Sequence, residues 1–373
     1  MMKPNFMEKL LDGVEVEWKA LGEVSNVLRG RRLTRNQLSD AEKFPVFHGG
    51  LEPLGYYGQS NRPAHSVMVI NVGASAGIVG YSAVDFWSSD GCFCIQHSDL
   101  LNNKFIYYFL IGQQHLLRSK VRVAGIPTLD AIVVEKLQIP IPPLKVQEEI
   151  VRILDAFTKL TAELTAELTA RKKQYEYYRD KLLTFEEGEV EWKALGGLAE
   201  NLDSMRKPVT SGVREFGDIP YYGASGIVDY VKDYIFEGDF LLISEDGANL
   251  LARNTPIAFS ASGRIWVNNH AHVLKFKTYE ERRFVEFYLN YIDLTPYISG
   301  AAQPKLNQKN LNSIMVPNPL PLQKKRIVSI LDKFDALTSS ITEGLPCEIE
   351  LRQKQYEYYR NMLLSFPKKE VED

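Results

Sequence analysis

Cysteine is scarce: three residues, Cys92, Cys94 and Cys347, in a chain of 373. A secreted disulfide scaffold needs a larger, even set, so that class is excluded. Cys92 and Cys94 alternate with Phe93 and Ile95, the pattern of a buried strand rather than of a four-ligand zinc site. No apolar run approaches the roughly 20 residues that span a bilayer. Met1 to Phe6 carries no apolar signal core, so a cytoplasmic chain that touches no membrane is expected. Basic excess is missing too: 44 Lys and Arg against 47 Asp and Glu give a net charge of −3. Nucleic-acid binders usually carry such an excess, but local patches rather than totals make the contacts. Nucleotide and catalytic motifs are absent. Gly73, Gly77 and Gly80 have the wrong spacing for Gly-x-Gly-x-x-Gly, and no Gly-x-x-x-x-Gly-Lys-Ser/Thr loop occurs. There is no Asn/Asp-Pro-Pro-aromatic motif, and Asn318-Pro319-Leu320-Pro321 reads as a connector. Glu245-Asp246 lacks the following Glu-x-Lys of a nuclease site. His270 and His272, two apart, would share a face of a strand, but no third ligand is near and no metal is expected.

What is present is repetition. Glu15-Val-Glu-Trp-Lys-Ala-Leu-Gly22 recurs unchanged at Glu189 to Gly196, 174 residues on. Ile150-Val-Arg-Ile-Leu-Asp-Ala-Phe157 returns at Ile327 to Phe334, and Arg171 to Arg179 returns at Arg352 to Arg360, at separations of 177 and 181. The chain is two half-molecules in tandem, with matched edges and differing interiors. Residues 145–184 contain no Gly and no Pro. Their apolar residues fall at helical steps, among them Ile150, Leu154, Phe157, Leu164 and Leu168, which predicts an amphipathic helix with a coiled-coil-like seam. Forty residues make a rod of about 60 Å. A second rod follows Pro317, Pro319 and Pro321, with a break expected at Gly344-Leu-Pro346. The simplest burial is for the two rods to pack on each other antiparallel. Phe6 to Leu11 resembles the tail of such a helix, so the ends of the chain are expected side by side.

The expected organisation is a helix-tail stub at 1–12, α/β domains at 13–144 and 186–321, long helices at 145–185 and 322–366, and a charged tail at 367–373. Ser66 to Ile70 and Phe240 to Ile243 read as strands, each followed by a glycine-containing turn. Helices are expected from Asn103 to about Arg118 and from Glu281 to about Ile292. Each domain closes on a strand passage, Leu129 to Pro140 and Leu306 to Pro317.

The candidate binding residues are basic. Arg29, Arg31, Arg32 and Arg35 form a cluster suited to phosphates or to guanine edges. Arg206 and Lys207 stand at a comparable distance after the second Trp-Lys-Ala-Leu-Gly block. Arg214, Arg253 and Arg264 add charge to the second domain. Asp246 and Asn249 are loop residues suited to cytosine and adenine, or to turn capping. Tyr56-Tyr57 and Tyr221-Tyr222 are candidates for stacking or for the core.

The arrangement resembles the DNA-specificity subunit of type I restriction-modification systems. The resemblance is carried by the Trp-Lys-Ala-Leu-Gly blocks, Ser244-Glu-Asp-Gly-Ala-Asn-Leu250, Trp266-Val-Asn-Asn-His270 and Ile139-Pro-Ile-Pro-Pro-Leu144 before a Gln-containing helix (Gln147, Gln323). It implies two target-recognition domains, each reading half of a split site on double-stranded DNA. It implies helices that set the spacer and dock two methyltransferase subunits carrying S-adenosylmethionine, with restriction subunits adding ATP- and Mg-dependent cleavage. The chain itself would catalyse nothing and bind no cofactor. Asn71-Val-Gly-Ala-Ser-Ala-Gly77 departs from the Glu-Asp-Gly loop, which leaves the first domain's contacts open. The competing reading is a coiled-coil adaptor with two protein-binding domains; a self-contained nuclease or methyltransferase is a third.

Overall fold

The structure, a computed structural model, describes residues 6–300, 303–340 and 342–367. The expected charged tail lies outside these except for Pro367. The chain divides into two compact units, Met1–Thr165 with Glu348–Asp373, and Ala166–Cys347.

The first unit runs α1 (Phe6–Leu11), β1 (Glu17–Ala20), α2 (Leu21–Val24), β2 (Val27–Arg29), β3 (Phe44–Phe47), β4 (Gly55–Tyr57), β5 (Ser66–Ile70), β6 (Val79–Ser82), β7 (Trp87–Ser88) and β8 (Cys92–Ile95). It continues through α3 (Asn103–Gly112), α4 (Gln114–Ser119), α5 (Ala131–Glu135) and β9 (Gln138–Ile141) into α6 (Leu144–Leu183). The second unit holds β10 (Glu191–Ala194), β11 (Glu200–Asn201), β12 (Ile219–Gly223), β13 (Gly226–Val231), β14 (Phe236–Ser244), α7 (Asn249–Ala252), β15 (Ala258–Val267) and β16 (Ala271–Lys275). After α8 (Tyr279–Tyr291), α9 (Gln308–Ser313) and β17 (Met315–Asn318) come α10 (Pro321–Thr338) and α11 (Gly344–Leu363). Among the described residues no helix is long and apolar enough to cross a membrane.

The two halves share one topology. The second has a sheet ordered β11-β16-β14-β15-β12-β13; the first has β2-β8-β5-β6 and β4-β3-β7. The long β15 of the second half is therefore split into β6 and β7 in the first. The pairings of β3 with β7 and of β12 with β15 are both parallel and both centre on a tryptophan, Val46 opposite Trp87 and Tyr221 opposite Trp266. The repeated Glu-Trp-Lys-Ala segment is β1 in one half and β10 in the other. Each pairs antiparallel with the strand that closes its domain, Trp18 opposite Pro140 and Trp192 opposite Pro317. The closing passages are not strands throughout. A short helix, α5 or α9, precedes each strand, because a polar residue (Asp130 or Asn307) follows the buried leucine and starts a turn; the Asn307 Oδ1 accepts from the Asn310 N–H at 2.9 Å.

The helices belong to the domains rather than standing apart as separate bodies. Ile150 and Leu154 of α6 are buried in the first core, as are Ile327 and Leu331 of α10 in the second. The repeated aspartate of that block is clamped in both halves. The Asp155 carboxylate accepts from Lys104 Nζ at 2.7 Å and from Tyr108 Oη at 2.6 Å, both on α3. Asp332 accepts from Tyr279 Oη at 2.8 Å and from Arg283 Nε at 2.9 Å, both on α8. Burial and then the Asp155 carboxylate raise the Tyr108 pKa. In the first unit α6 and α11 run antiparallel. Phe157 stacks on Tyr359 at 5.3 Å, and the Trp18 indole donates to the Pro367 carbonyl at 3.0 Å, joining the segment that follows α11 to β1. The first and last described segments thus lie on one core, with α1 packed against it. In the second unit Tyr175 and Tyr178 of α6 pack on Phe334 of α10.

The second rod, expected over 322–366 with a break, is two helices, α10 and α11. The break falls ahead of Gly344, not at it, because Pro346 is tolerated in the first turn of a new helix. Gly344 has φ +76°, and a Cβ there would lie 2.3 Å from the Ala336 carbonyl oxygen. Gly344→Ala is expected to destabilise the protein by at least about 1–2 kcal/mol from the left-handed conformation alone. Thermal unfolding checks this; an unchanged Tm would show that the α10–α11 corner relaxes freely.

Candidate nucleic-acid interface

Sheet register brings several segments of the first half to one end. Arg29, the last residue of β2, stands opposite Phe93, and Ile70, the last of β5, stands opposite Cys92. The Gly91 N–H donates to His48 Nδ1 at 3.1 Å, which adds the exit from β3. The hairpin Arg122–Thr128 is laid on the same end: Val72 bridges Thr128, and the Gly73 N–H donates to the Pro127 carbonyl at 2.9 Å.

Arg29, Arg31, Arg32 and Arg35 leave this sheet end as an extended strap. Trp87 Nε1 donates to the Arg31 carbonyl at 2.6 Å, and Leu33 is buried with Val46 and Trp87. Gly30 lies so close to Ser89 that a Cβ would sit 1.9 Å from its carbonyl oxygen. The strap is therefore fixed by its backbone and Leu33, while all four arginines are exposed and none is in an ion pair among the described residues. The Arg29 guanidinium lies 5.9 Å over the Phe93 ring.

The second half repeats the frame. Trp266 Nε1 donates to the Lys207 carbonyl at 2.7 Å, Asp246 bridges Lys305, and the Gly247 N–H donates to the Pro304 carbonyl at 3.2 Å. The Asn71 and Glu245 loops, though unlike in sequence, occupy the same place: the Leu129 N–H donates to the Asn71 carbonyl and the Leu306 N–H to the Glu245 carbonyl. What fills the frame differs. Arg206 is turned inward. It donates to Glu245 at 2.5 Å and to the Ala271 carbonyl at 2.8 Å, with its Asp203 contact at 3.5 Å. His272 is buried, its two ring nitrogens 2.6 Å from Asp203 and 2.6 Å from the Leu306 carbonyl. In the first half Gly30, Asn71 and Phe93 stand where Arg206, Glu245 and His272 stand in the second. Asn71 Oδ1 is buried without a hydrogen-bond partner.

Of the candidates in the second half, only Lys207 and Asp246 are turned out at this end. Asp246 pairs with exposed His270 at 2.8 Å. Asn249 closes its own loop with two hydrogen bonds to the Thr255 backbone, each 3.0 Å. Arg253 ends α7 at φ 50° and donates to the Asn290 carbonyl on α8 at 3.3 Å; burial lowers its pKa. Arg214 lies 4.3 Å over the Tyr221 ring and pairs with Asp229. Arg264 stands opposite Glu237 at the start of β14, away from the Ser244 end, and pairs with it at 3.2 Å. Each of these arginines already has a structural partner, which charge counting could not reveal. His270 and His272 do not share a strand face: His270 precedes β16 and is exposed. Tyr56 and Tyr57 lie on β4, whereas Tyr221 and Tyr222 lie on β12, the counterpart of β3; Tyr57 and Tyr221 pack on the two tryptophans. Among the described residues no group of three or more His, Cys, Asp or Glu is placed to hold a metal ion. Burial pushes the Cys92 thiol up to about 12 and that of Cys94 up to about 11. The hairpin Arg122–Thr128 and the matching bridge between Ser299 and Lys305 are not among the expected elements; the shared signal is a proline two residues before Leu129 and Leu306.

A tandem of two like domains, each with a divergent polar sheet end and each tied to a long helix, defines a bipartite recognition scaffold. Comparison with known proteins gives the class a family. The model of the type I restriction modification DNA specificity domain matches twice, at residues 13–171 and 187–351. The chain is 36% identical to the type I restriction enzyme EcoR124I/EcoR124II specificity subunit of Escherichia coli, covering 100% of this chain and 99% of that one. It is 34% identical to a putative type I restriction enzyme specificity subunit of Haemophilus influenzae, over 98% and 100%. A type I restriction-modification S subunit from M. genitalium has the same fold, with a TM-score of 0.69 at 20% identity over 96% of this chain and 98% of that one. The chain belongs to the family of type I restriction-modification DNA-specificity subunits.

The buried cluster carries a testable pH dependence. Burial opposes ionisation of Asp203, but His272, the Val273 N–H and Arg206 hold its carboxyl below the ordinary range. Against the same burial, Arg206, Lys305 and His272 hold Glu245 low. Both carboxyls are lower folded than unfolded. Their stabilisation is complete above the unfolded values near about pH 4 and is lost as pH falls through the folded ones. Asp203→Asn is expected to cost about 3–5 kcal/mol at neutral pH and to flatten the acid limb of the stability curve. Urea unfolding at stepped pH measures both; a variant as acid-sensitive as the parent would place the sensitivity elsewhere.

Proposed function

We propose that this chain is the non-catalytic, DNA-reading member of a type I complex in the cytoplasm. Each sheet end reads one half of a bipartite double-stranded target. The observation that carries the reading is the duplicated frame: two like backbone supports, each fixed by a tryptophan indole, presenting different side chains. In the first half the phosphate contacts come from Arg29, Arg31, Arg32 and Arg35; in the second they come from Lys207, which is exposed on the corresponding strap. Catalysis belongs to partners: two methyltransferase subunits with S-adenosylmethionine, and restriction subunits with ATP and Mg.

The repeated Arg171–Arg179 and Arg352–Arg360 blocks suit the two methyltransferases. They present matching surfaces, with Tyr177 60% and Tyr358 62% exposed. In each, the first arginine is locked by its helix neighbours, Arg171 on Glu167 and Arg352 on Glu348, both at 2.7 Å. Two like surfaces in a chain whose domain interiors have diverged fit two copies of one partner.

Replacing the four strap arginines by glutamine is expected to weaken DNA binding by the assembled complex. It should reduce the slope of log K against log salt by about one unit per lost phosphate contact. Unchanged slope and affinity would remove the strap from the interface and favour the protein-binding adaptor. A second outcome concerns spacing. Four residues inserted between Thr161 and Ala170 add about 6 Å of helix, close to two base pairs, and nearly preserve the apolar seam. Mapping methylated sites should then show a changed spacer with both half-sequences kept, at some loss of affinity because each base-pair step also rotates one half-site. A normal spacer at full activity would mean that α6 does not set the distance.

A further inference from the structure

The hairpin Arg122–Thr128 exposes two large apolar side chains at its tip, Val123 at 79% and Ile126 at 70%. Exposing them is unfavourable without an occupant, and the hairpin is too well tied to be slack. Arg122 and Thr128 exchange both backbone hydrogen bonds, at 2.9 and 3.0 Å, and Gly125 turns the tip at φ +82°. The base is bridged to Val72, and Arg118 closes against the loop below, 3.0 Å from where a Gly77 Cβ would lie. Arg118 and Lys120 beside it are exposed and in no ion pair among the described residues. The tip shares its sheet end with the four-arginine strap. Apolar tip, flanking cations and a narrow two-stranded shape together match the major groove, which is about 12 Å wide and admits a β-ribbon.

Resting on the DNA-reading function above, we propose that Val123 and Ile126 enter the major groove and determine part of the first half-sequence by contact with thymine methyl groups. The methyl is the one apolar group on a base edge in that groove, so the contact selects A·T pairs. The second half has the same hairpin base, Ser299 and Lys305 bridged as Arg122 and Thr128 are. Its exposed Gln303 stands where Ile126 stands, so the same support carries a different reader.

The test uses the chain assembled with its methyltransferase subunits and a library of random duplexes. For Val123→Ser/Ile126→Ser, preference for an A·T pair at one or two positions of one half-site should fall about tenfold, the cost typical of one lost base contact. The other half-site and the salt slope should stay as in the parent. Ile126→Val keeps the tip apolar and should keep the preference. Unchanged selection by the double variant overturns the proposal. So does loss of assembly, which would make the hairpin a docking loop, or loss of preference in Ile126→Val as well, which would make it a backbone support. A parent complex that selects no sequence at all would overturn the DNA-reading function itself, a distinct result.

Discussion

The antiparallel pairing of β1 with β9, and of β10 with β17, is the constraint on which the rest depends. It brings the first residues of each domain onto its last, so that everything between is a closed excursion. The helix that follows then leaves from a fixed point, Leu144 or Pro321, a few residues beyond the paired proline. Because the pair is made from the repeated Glu-Trp-Lys-Ala segment, both domains are closed alike. The excursion can change its side chains without disturbing where the helix starts. A second anchor works with it: Asp155 and Asp332, one per helix, are each held by a cation and a tyrosine of the packed domain helix. These charge-assisted bonds fix how each domain sits on its own helix.

Within the excursions the two halves solve one packing problem with different chemistry. The first fills the space beneath its sheet end with Phe93 and with the close approach of Gly30. The second fills it with Asp203, His272, Arg206 and Glu245, all largely buried. A buried ionic group rarely adds stability over an apolar one of similar volume, because desolvation offsets the attraction. The frame itself does not need the charges, since Phe93 serves in the other half. What the cluster does is tie Glu245, and through it the Asp246 loop, to Arg206 and Lys305. The pair Asp246–His270 is therefore presented on a rigid base, as the proposed reading surface requires.

Much of this was legible in the sequence because it rests on repetition and periodicity. The matched blocks gave the tandem, and the Gly- and Pro-free stretch after Pro143 gave α6. Cys92 to Ile95 is the buried strand that its alternation indicates. What stayed hidden depends on which side of a backbone a long side chain turns. Arg31 and Arg206 look alike in sequence, yet one strap is exposed and the other donates inward to Glu245. Arg253 looks free but caps α7. The second rod breaks earlier than its Gly-x-Pro suggests, because proline opens a helix as readily as it ends one. The hairpin at 122–128 was missed because it is short and lies between helices, where period gives no signal.

The central claim is that each half reads DNA independently on a shared frame. The most direct measurement replaces residues 186–321 with a second copy of 13–144, restores the methyltransferase subunits, and maps methylated sites. The account predicts a target in which both halves carry the same half-sequence, the one contributed by the first domain of the parent. Retention of the parent's two different half-sequences would contradict it, because recognition would then reside outside the exchanged domains.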